Sequence, residues 1–317
     1  MFGTIPSFVR AFLKRKKYDA HEVKSWLHYE APVPMSDAPR ITWLGHATFL
    51  IQIGGINILT DPVFGDLSFL FPRILPSTIV LDNLPRIDIV LISHNHRDHM
   101  DRDSLLALKN KYKDVQVLVA WGDKAWFDSR GFTQVTEYMW WQAHSVRNQM
   151  MQNSTVNFTF LPAWHWSQRG LFDKNRSLWG SWMIECNGYQ IYFAGDTAYS
   201  PHFKAIARKF TTIDVALMPI GPCEPRPWMK HSHVDAHEAC QAFIDLNAQV
   251  FIPMHWGTFA FGEDHFGLPI DRLKDAWSAC RELGSKQLHM PKVGQGFNPE
   301  SSSVVHIPKT GHLQLDI

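Results

Sequence analysis

Ile41-Thr42-Trp43-Leu44 and the run from Ala47 to Ile53 carry the aromatic and β-branched residues of strands. Gly54-Gly55 separates the second run from Ile56 to Thr60 and predicts a tight hairpin. Ile87 to Ile92 is the next strand, and its nearly continuous apolar run predicts burial on both faces. Asp103 to Tyr112 then reads as a helix, with Asp103 as the expected N-cap and Leu105, Leu106 and Leu108 as its apolar contacts. In the second half, Val156 to Leu161, Ser181 to Cys186, Gln190 to Ala194, Val215 to Pro219 and Val250 to Pro253 predict strands, while Asp235 to Leu246 and Leu268 to Leu283 predict helices. Strands ending in polar loops thus alternate with helices, which predicts one layered α/β domain over residues 40–317. The loop from Gly221 to Lys230 is expected to wall an active site rather than mark a boundary.

Residues 1–39 have a different texture. Phe2, Ile5, Phe8, Val9, Phe12 and Leu13 recur at helical spacing ahead of Lys14 to Lys17, an order opposite to that of a secretory signal. Such a segment suits peripheral contact with an anionic membrane or the entrance to an acyl-chain site, or else a first helix packed on its own domain. Pro32, Pro34 and Pro39 make the stretch from Ala31 to Pro39 a linker.

Composition narrows the partners. Thirty-one basic against thirty acidic side chains give no electrostatic reason to bind nucleic acid. No 18-residue apolar run occurs, so a cytoplasmic protein is expected, peripheral to a membrane at most. Cys186, Cys223, Cys240 and Cys280 are widely spaced and form no C-x-x-C pair, so they are expected to be reduced and mostly buried. The 17 histidines matter only through their spacing.

That spacing is concentrated in Ser93-His94-Asn95-His96-Arg97-Asp98-His99, directly after the buried strand. Three imidazoles and a carboxylate in six residues are costly to desolvate unless a metal partners them. Six residues do not close two metal sites, so distant ligands at other strand ends are required. His165 follows one predicted strand, Asp196 another and His255 a third.

The order His94-x-His96-x-Asp98-His99, His165, Asp196 and His255 resembles the signature of the metallo-β-lactamase superfamily. Trp43-Leu44-Gly45-His46-Ala47-Thr48, Leu59-Thr60-Asp61-Pro62, Leu178-Trp179-Gly180-Ser181-Trp182, Phe193-Ala194-Gly195-Asp196-Thr197 and His255-Trp256-Gly257-Thr258 are similar to its N-acylphosphatidylethanolamine-hydrolysing phospholipase D branch. The resemblance spans Arg40 to Gly296 and implies a four-layer αβ/βα sandwich with a binuclear centre at one edge of its sheets. It assigns His94, His96 and His165 to one metal, Asp98, His99 and His255 to the other, and Asp196 to a bridge. Histidine and carboxylate ligation without thiolate suits two zinc ions, with iron or manganese as alternatives.

Two cations make a bridging hydroxide available near neutral pH, and the resemblance directs it at the phosphorus of N-acylphosphatidylethanolamine or a related phospholipid. Asp98 is then both ligand and proton acceptor. His233 is placed by the resemblance near the substrate phosphate, its alternative being a residue on the approach to a helix. Asp61 either holds a ligating imidazole or caps the turn before Pro62, and His46 is either a donor lining the site or a turn residue. Ser232 and Arg97 depart from the branch, where an amide and an aromatic residue are usual. Two rivals remain open: a lactonase or other acyl hydrolase acting on a small-molecule ester through the same centre, and a metal-stabilised binding protein.

Overall fold

The computed structural model describes residues 18–148 and 154–299. The apolar run at the N-terminus and Lys14 to Lys17 lie outside the described residues. Two seven-stranded mixed sheets face one another. In the first, β1 (Arg40–Gly45), β2 (Thr48–Ile53) and β3 (Ile56–Thr60) pair antiparallel. From β3 the sheet continues parallel through β4 (Ile89–Leu91), β5 (Gln116–Ala120) and β6 (Val135–Tyr138). In the second, β7 (Ala143–Arg147), β8 (Thr155–Leu161), β9 (Ser181–Cys186) and β10 (Tyr189–Phe193) are antiparallel. There β11 (Val215–Pro219), β12 (Val250–Met254) and β13 (Gln287–Leu288) follow parallel. A short β14 (Gly296–Phe297) closes the first sheet beside β1.

Strand alternation explains why the predicted runs are apolar on both faces. Phe49 and Ile51 of β2, Ile89 and Leu91 of β4, and Leu118 of β5 turn inward to the space between the sheets. Their neighbours Leu50, Val90, Val117 and Val119 turn outward. That outer face is covered by α2 (Arg102–Lys111) through Leu105 and Leu108 and by α3 (Lys124–Asp128) through Phe127. The outer face of the second sheet is covered by α4 (His202–Lys209), α6 (Ala236–Asp245) and α7 (Leu268–Ala279), with Phe243 and Trp277 packed on Phe251 of β12. The short α5 (Arg226–Met229) lies in the loop from Gly221 to Lys230. The result is the helix–sheet–sheet–helix layering that the resemblance implies.

Several expectations need correction. Asp101, not Asp103, caps α2, because the Asp101 carboxylate accepts the Ser104 N–H at 2.9 Å while Asp103 stands in the first turn. The helix expected to reach Leu283 stops at Ala279 and passes into a 3₁₀ turn over Arg281–Ser285. Ile87 to Ile92 forms a strand only over its centre, Ile89–Leu91. The residues between α2 and β8 carry β5, β6 and β7, none of which is among the expected strands, and α4 is likewise unforeseen.

Ahead of the linker, α1 (Ala20–Ser25) is capped by Asp19, and the residues after it pack on the domain, with Trp26 edge-on to Trp256 at 4.7 Å and Leu27 bridged to Val293. The linker runs along the first hairpin, giving its Val33 and Pro34 carbonyls to Gln52 and Asn57. Trp182 joins the layers beneath the site: fully buried in β9, its indole N–H donates to the Ile92 carbonyl at 3.0 Å, one residue before Ser93. All four cysteines are free, three buried and Cys280 half-buried.

Candidate metal centre

Parallel pairing of β3 with β4, and of β10 with β11 and β12, brings several strand ends to one edge of the sandwich. The loops there carry every sequence-predicted site residue. His94 Nε2 faces His96 Nδ1 at 2.8 Å, and His165 Nε2 faces the same nitrogen at 3.2 Å. Alongside, Asp98 Oδ2 lies 3.4 Å from His99 Nε2 and 3.6 Å from His255 Nε2. Asp196 stands between the two groups, 3.0 Å from His255 Nε2, 3.3 Å from His99 Nε2, 3.7 Å from His165 Nε2 and 4.0 Å from His94 Nε2.

The far nitrogens of four of these rings are fixed. His165 Nδ1 contacts the Ser232 carbonyl at 2.8 Å and His255 Nδ1 the Gly221 carbonyl at 3.0 Å. A carbonyl accepts only, so both rings carry a proton on Nδ1 and turn Nε2 inward. His99 Nδ1 donates to Asp61 Oδ2 at 2.7 Å. The Ser93 hydroxyl donates to the same carboxylate at 2.6 Å and can therefore accept from His94 Nδ1 at 2.9 Å. Asp61 thus orients one imidazole from each group, directly in one case and through Ser93 in the other. Its backbone N–H is taken by the Leu91 carbonyl, which ties the turn to β4.

Ring nitrogens converging on two buried carboxylates require positive charge at their focus, as protons or as cations. Among the described residues, buried Asp196 Oδ1 has no hydrogen-bond partner but the His255 imidazole 3.0 Å away. Burial alone would raise the Asp98 and Asp196 carboxyls, but the imidazoles around them, with His99 the largest influence on Asp98 and His255 on Asp196, hold both well below the usual range. Burial opposes protonation of His255, yet Asp196 outweighs it and lifts that imidazole to about 9, while His99 is raised in the same way. His94 and His165 are driven well below 6.5 by burial and their neighbouring rings. The donor set fits divalent cations: three histidines as one group, His46, Asp98, His99 and His255 as another.

His46 lies inside this second group, its Nε2 3.1 Å from Asp98 Oδ2 and its backbone N–H donating to Thr258 Oγ1 at 2.7 Å. Burial lowers His46 to about 3, so it stays neutral. His233 reaches in from the loop before α6, with Nδ1 buried, unpartnered and 3.7 Å from Asp196 Oδ2. Its imidazole is lowered to about 4, chiefly by burial. His144 lies outside this cluster, on β7, bonded to the Tyr138 hydroxyl at 2.7 Å.

Aromatic side chains wall the site: Trp166 lies 4.2 Å from the His96 ring, and Phe259 and Phe261 stand 5.2 and 5.8 Å from His46. Arg169, 74 residues away in sequence, binds the Asn95 and Met100 carbonyls at 3.2 and 2.8 Å and so brackets the histidine-rich loop. Nothing local in the sequence marks Trp166 or Arg169 for these roles. The Gly195-Asp196 turn is equally constrained. Gly195 has φ +58°, and a β-carbon there would meet Ser93 Cβ at 2.7 Å and the Gly180 carbonyl at 2.8 Å.

Residues 56–256 match the family described as the Beta-lactamase superfamily domain. The chain belongs to this superfamily. Within it, the chain is 36% identical over 255 residues to N-acyl-phosphatidylethanolamine-hydrolyzing phospholipase D 1 of Caenorhabditis elegans, covering 76% of this chain and 70% of that one. It is 34% identical to the mitochondrial N-acyl-phosphatidylethanolamine-hydrolyzing phospholipase D of Saccharomyces cerevisiae, over 78% of this chain and 55% of the yeast protein. A metallo hydrolase from the archaeon Ignicoccus hospitalis shares the fold, with a TM-score of 0.62 at 22% identity over 82% of this chain and 97% of its own. The superfamily, the histidine and carboxylate groups and these relatives make the protein a metal-dependent hydrolase.

Asp61→Asn is expected to turn an amide N–H toward His99 or to forfeit the charge that anchors it, and to weaken metal affinity roughly 10- to 100-fold. Competition with a chelator of known affinity measures it, and unchanged affinity would return Asp61 to the role of a turn cap.

Proposed function

We propose that this chain is a binuclear metal-dependent phosphodiesterase of phospholipase D type, acting on N-acylphosphatidylethanolamine or a related phospholipid. The observation that carries the reading is Asp196, one carboxylate within 4.0 Å of imidazoles from both ligand groups. His94, His96 and His165 would hold one cation, Asp98, His99 and His255 the other, with Asp196 shared and zinc favoured by the donor chemistry. Such cations supply Lewis acidity and a lowered water pKa.

The chain's own residues do the rest. Asp98, kept ionised and steadied by His46, accepts the proton of the attacking water. His233, neutral at pH 7, offers a hydrogen bond to a nonbridging phosphoryl oxygen as charge builds there. Trp166, Phe259 and Phe261 exclude bulk water, which strengthens each of these interactions. The 34–36% identity to two phospholipases of this specificity supports the substrate class.

Turnover of N-acylphosphatidylethanolamine, a lactone and a β-lactam by the metal-loaded protein tests the assignment. Release of phosphatidate and N-acylethanolamine, with the other two substrates intact, is expected. Lactone opening without diester cleavage would replace it by an acyl hydrolase.

A further inference from the structure

Next to the histidine-rich loop, residues 167–176 form a closed turn that holds apolar side chains out in solvent. The Asn175 N–H donates to the Ser167 carbonyl at 2.7 Å, and the Arg176 N–H to that of Asp173 at 3.1 Å. The Asp173 carboxylate accepts the Arg169 and Gly170 N–H groups at 2.8–3.3 Å, so the single acid of the turn is tied to its backbone. At the tip of this fixed turn, Leu171 is 85% exposed and Phe172 88%. Lys174 and Arg176 beside them are exposed as well.

The turn is joined to the site. Arg169 bonds the Asn95 and Met100 carbonyls, and Lys174 Nζ lies 5.3 Å from the Trp166 ring that packs on His96. Trp121, 50% exposed, borders it through the Leu178 N–H to Trp121 carbonyl bond, and Gly122 abuts the backbone of Arg176 and Ser177. Rigid exposed apolar residues of this size mark an interaction surface. Apolar residues flanked by cations and an exposed indole match the layers of a bilayer, where acyl chains lie under anionic headgroups and tryptophan occupies the boundary.

We propose that this turn docks the chain on an anionic phospholipid bilayer, Leu171 and Phe172 entering the headgroup–acyl boundary and Lys174 and Arg176 meeting the headgroups. Docking there brings the bilayer against the loop that carries His94 to His99. The biological sense of this rests on the phospholipid reading above, but vesicle binding is read without any turnover.

The test is cosedimentation of the full-length protein with phosphatidylcholine vesicles containing about one third phosphatidylglycerol. The wild type should pellet with these vesicles and much less with phosphatidylcholine alone. Leu171→Ser with Phe172→Ser should lower the bound-to-free ratio about tenfold or more. Lys174→Glu with Arg176→Glu should lower it by a similar factor and flatten its dependence on salt. Both double variants should keep the wild-type Tm and the turnover of soluble bis(p-nitrophenyl) phosphate. Removal of residues 1–17 should leave the effect of the tip substitutions in place.

Wild-type protein that ignores the anionic vesicles, or tip variants that bind like wild type, overturn the proposal. So does a concentration-dependent dimer that the tip variant dissolves while vesicles stay unbound, because the tip then covers a second copy. Vesicle binding that behaves as described, in a protein that cleaves no diester, leaves the docking surface standing and removes the phospholipase reading.

Discussion

Asp196→Ala is expected to cost the protein both metals and to lower diester cleavage by about a thousandfold or more. The reason is geometric. Asp196 stands between the two imidazole groups, with Oδ2 3.3 Å from His99 Nε2 and 3.7 Å from His165 Nε2, and Oδ1 3.0 Å from His255 Nε2. Removing it takes away the carboxylate that faces His94 and His165 and leaves Asp98 alone beside the Nε2 atoms of His99 and His255. Elemental analysis of the purified variant, beside a steady-state assay, measures both effects. His144→Ala is the control: its bond to Tyr138 lies outside the site, and both metal content and rate should stay at wild-type values. Full metal occupancy in Asp196→Ala would refute the bridge.

Stripping the wild-type protein with a chelator should abolish turnover and lower the Tm, and both should return on adding zinc. A cation at a thousand times its Kd contributes about 4 kcal/mol of stability by mass action. In the stripped protein Asp98 and Asp196 draw protons onto His99 and His255 in place of cations. Those protons compete with metal, so apparent affinity should rise with pH toward the value of about 9 that Asp196 imposes on His255. Titration of the stripped protein at several pH values measures the slope. An affinity independent of pH, or a Tm indifferent to metal, would contradict this account of the cluster.

The histidine-rich loop was legible because its imidazoles and carboxylate are close in sequence and directly follow an apolar strand. His165, Asp196 and His255 were legible as residues just past strand ends, which the parallel portions of the sheets bring to one edge. Asp61 and His46 were not decidable, since their roles depend on which strands pair. Only the register Thr60 to Leu91 sets Asp61 against Ser93 and His99. The order of β5, β6 and β7 was hidden for a related reason. β7 is an edge strand whose residues are exposed or half-buried, so no apolar alternation marks it, and its partner β8 supplies the pairing. The misplaced cap of α2 reflects two aspartates two residues apart, of which only Asp101 has its carboxylate on a free N–H of the first turn. Arg169 acts across 74 residues on backbone carbonyls, a role that side-chain pattern does not encode.

The most direct test of the central claim is the fate of water oxygen. Cleavage of N-acylphosphatidylethanolamine by the metal-loaded protein in water enriched in heavy oxygen should place the label in phosphatidate and leave the released N-acylethanolamine unlabelled, because attack at phosphorus breaks the P–O bond and spares the alcohol's C–O bond. Mass spectrometry of the two products reads this in a single turnover experiment. Label in the N-acylethanolamine hydroxyl, or products of amide or ester cleavage instead, would contradict attack at phosphorus and with it the phospholipase D assignment.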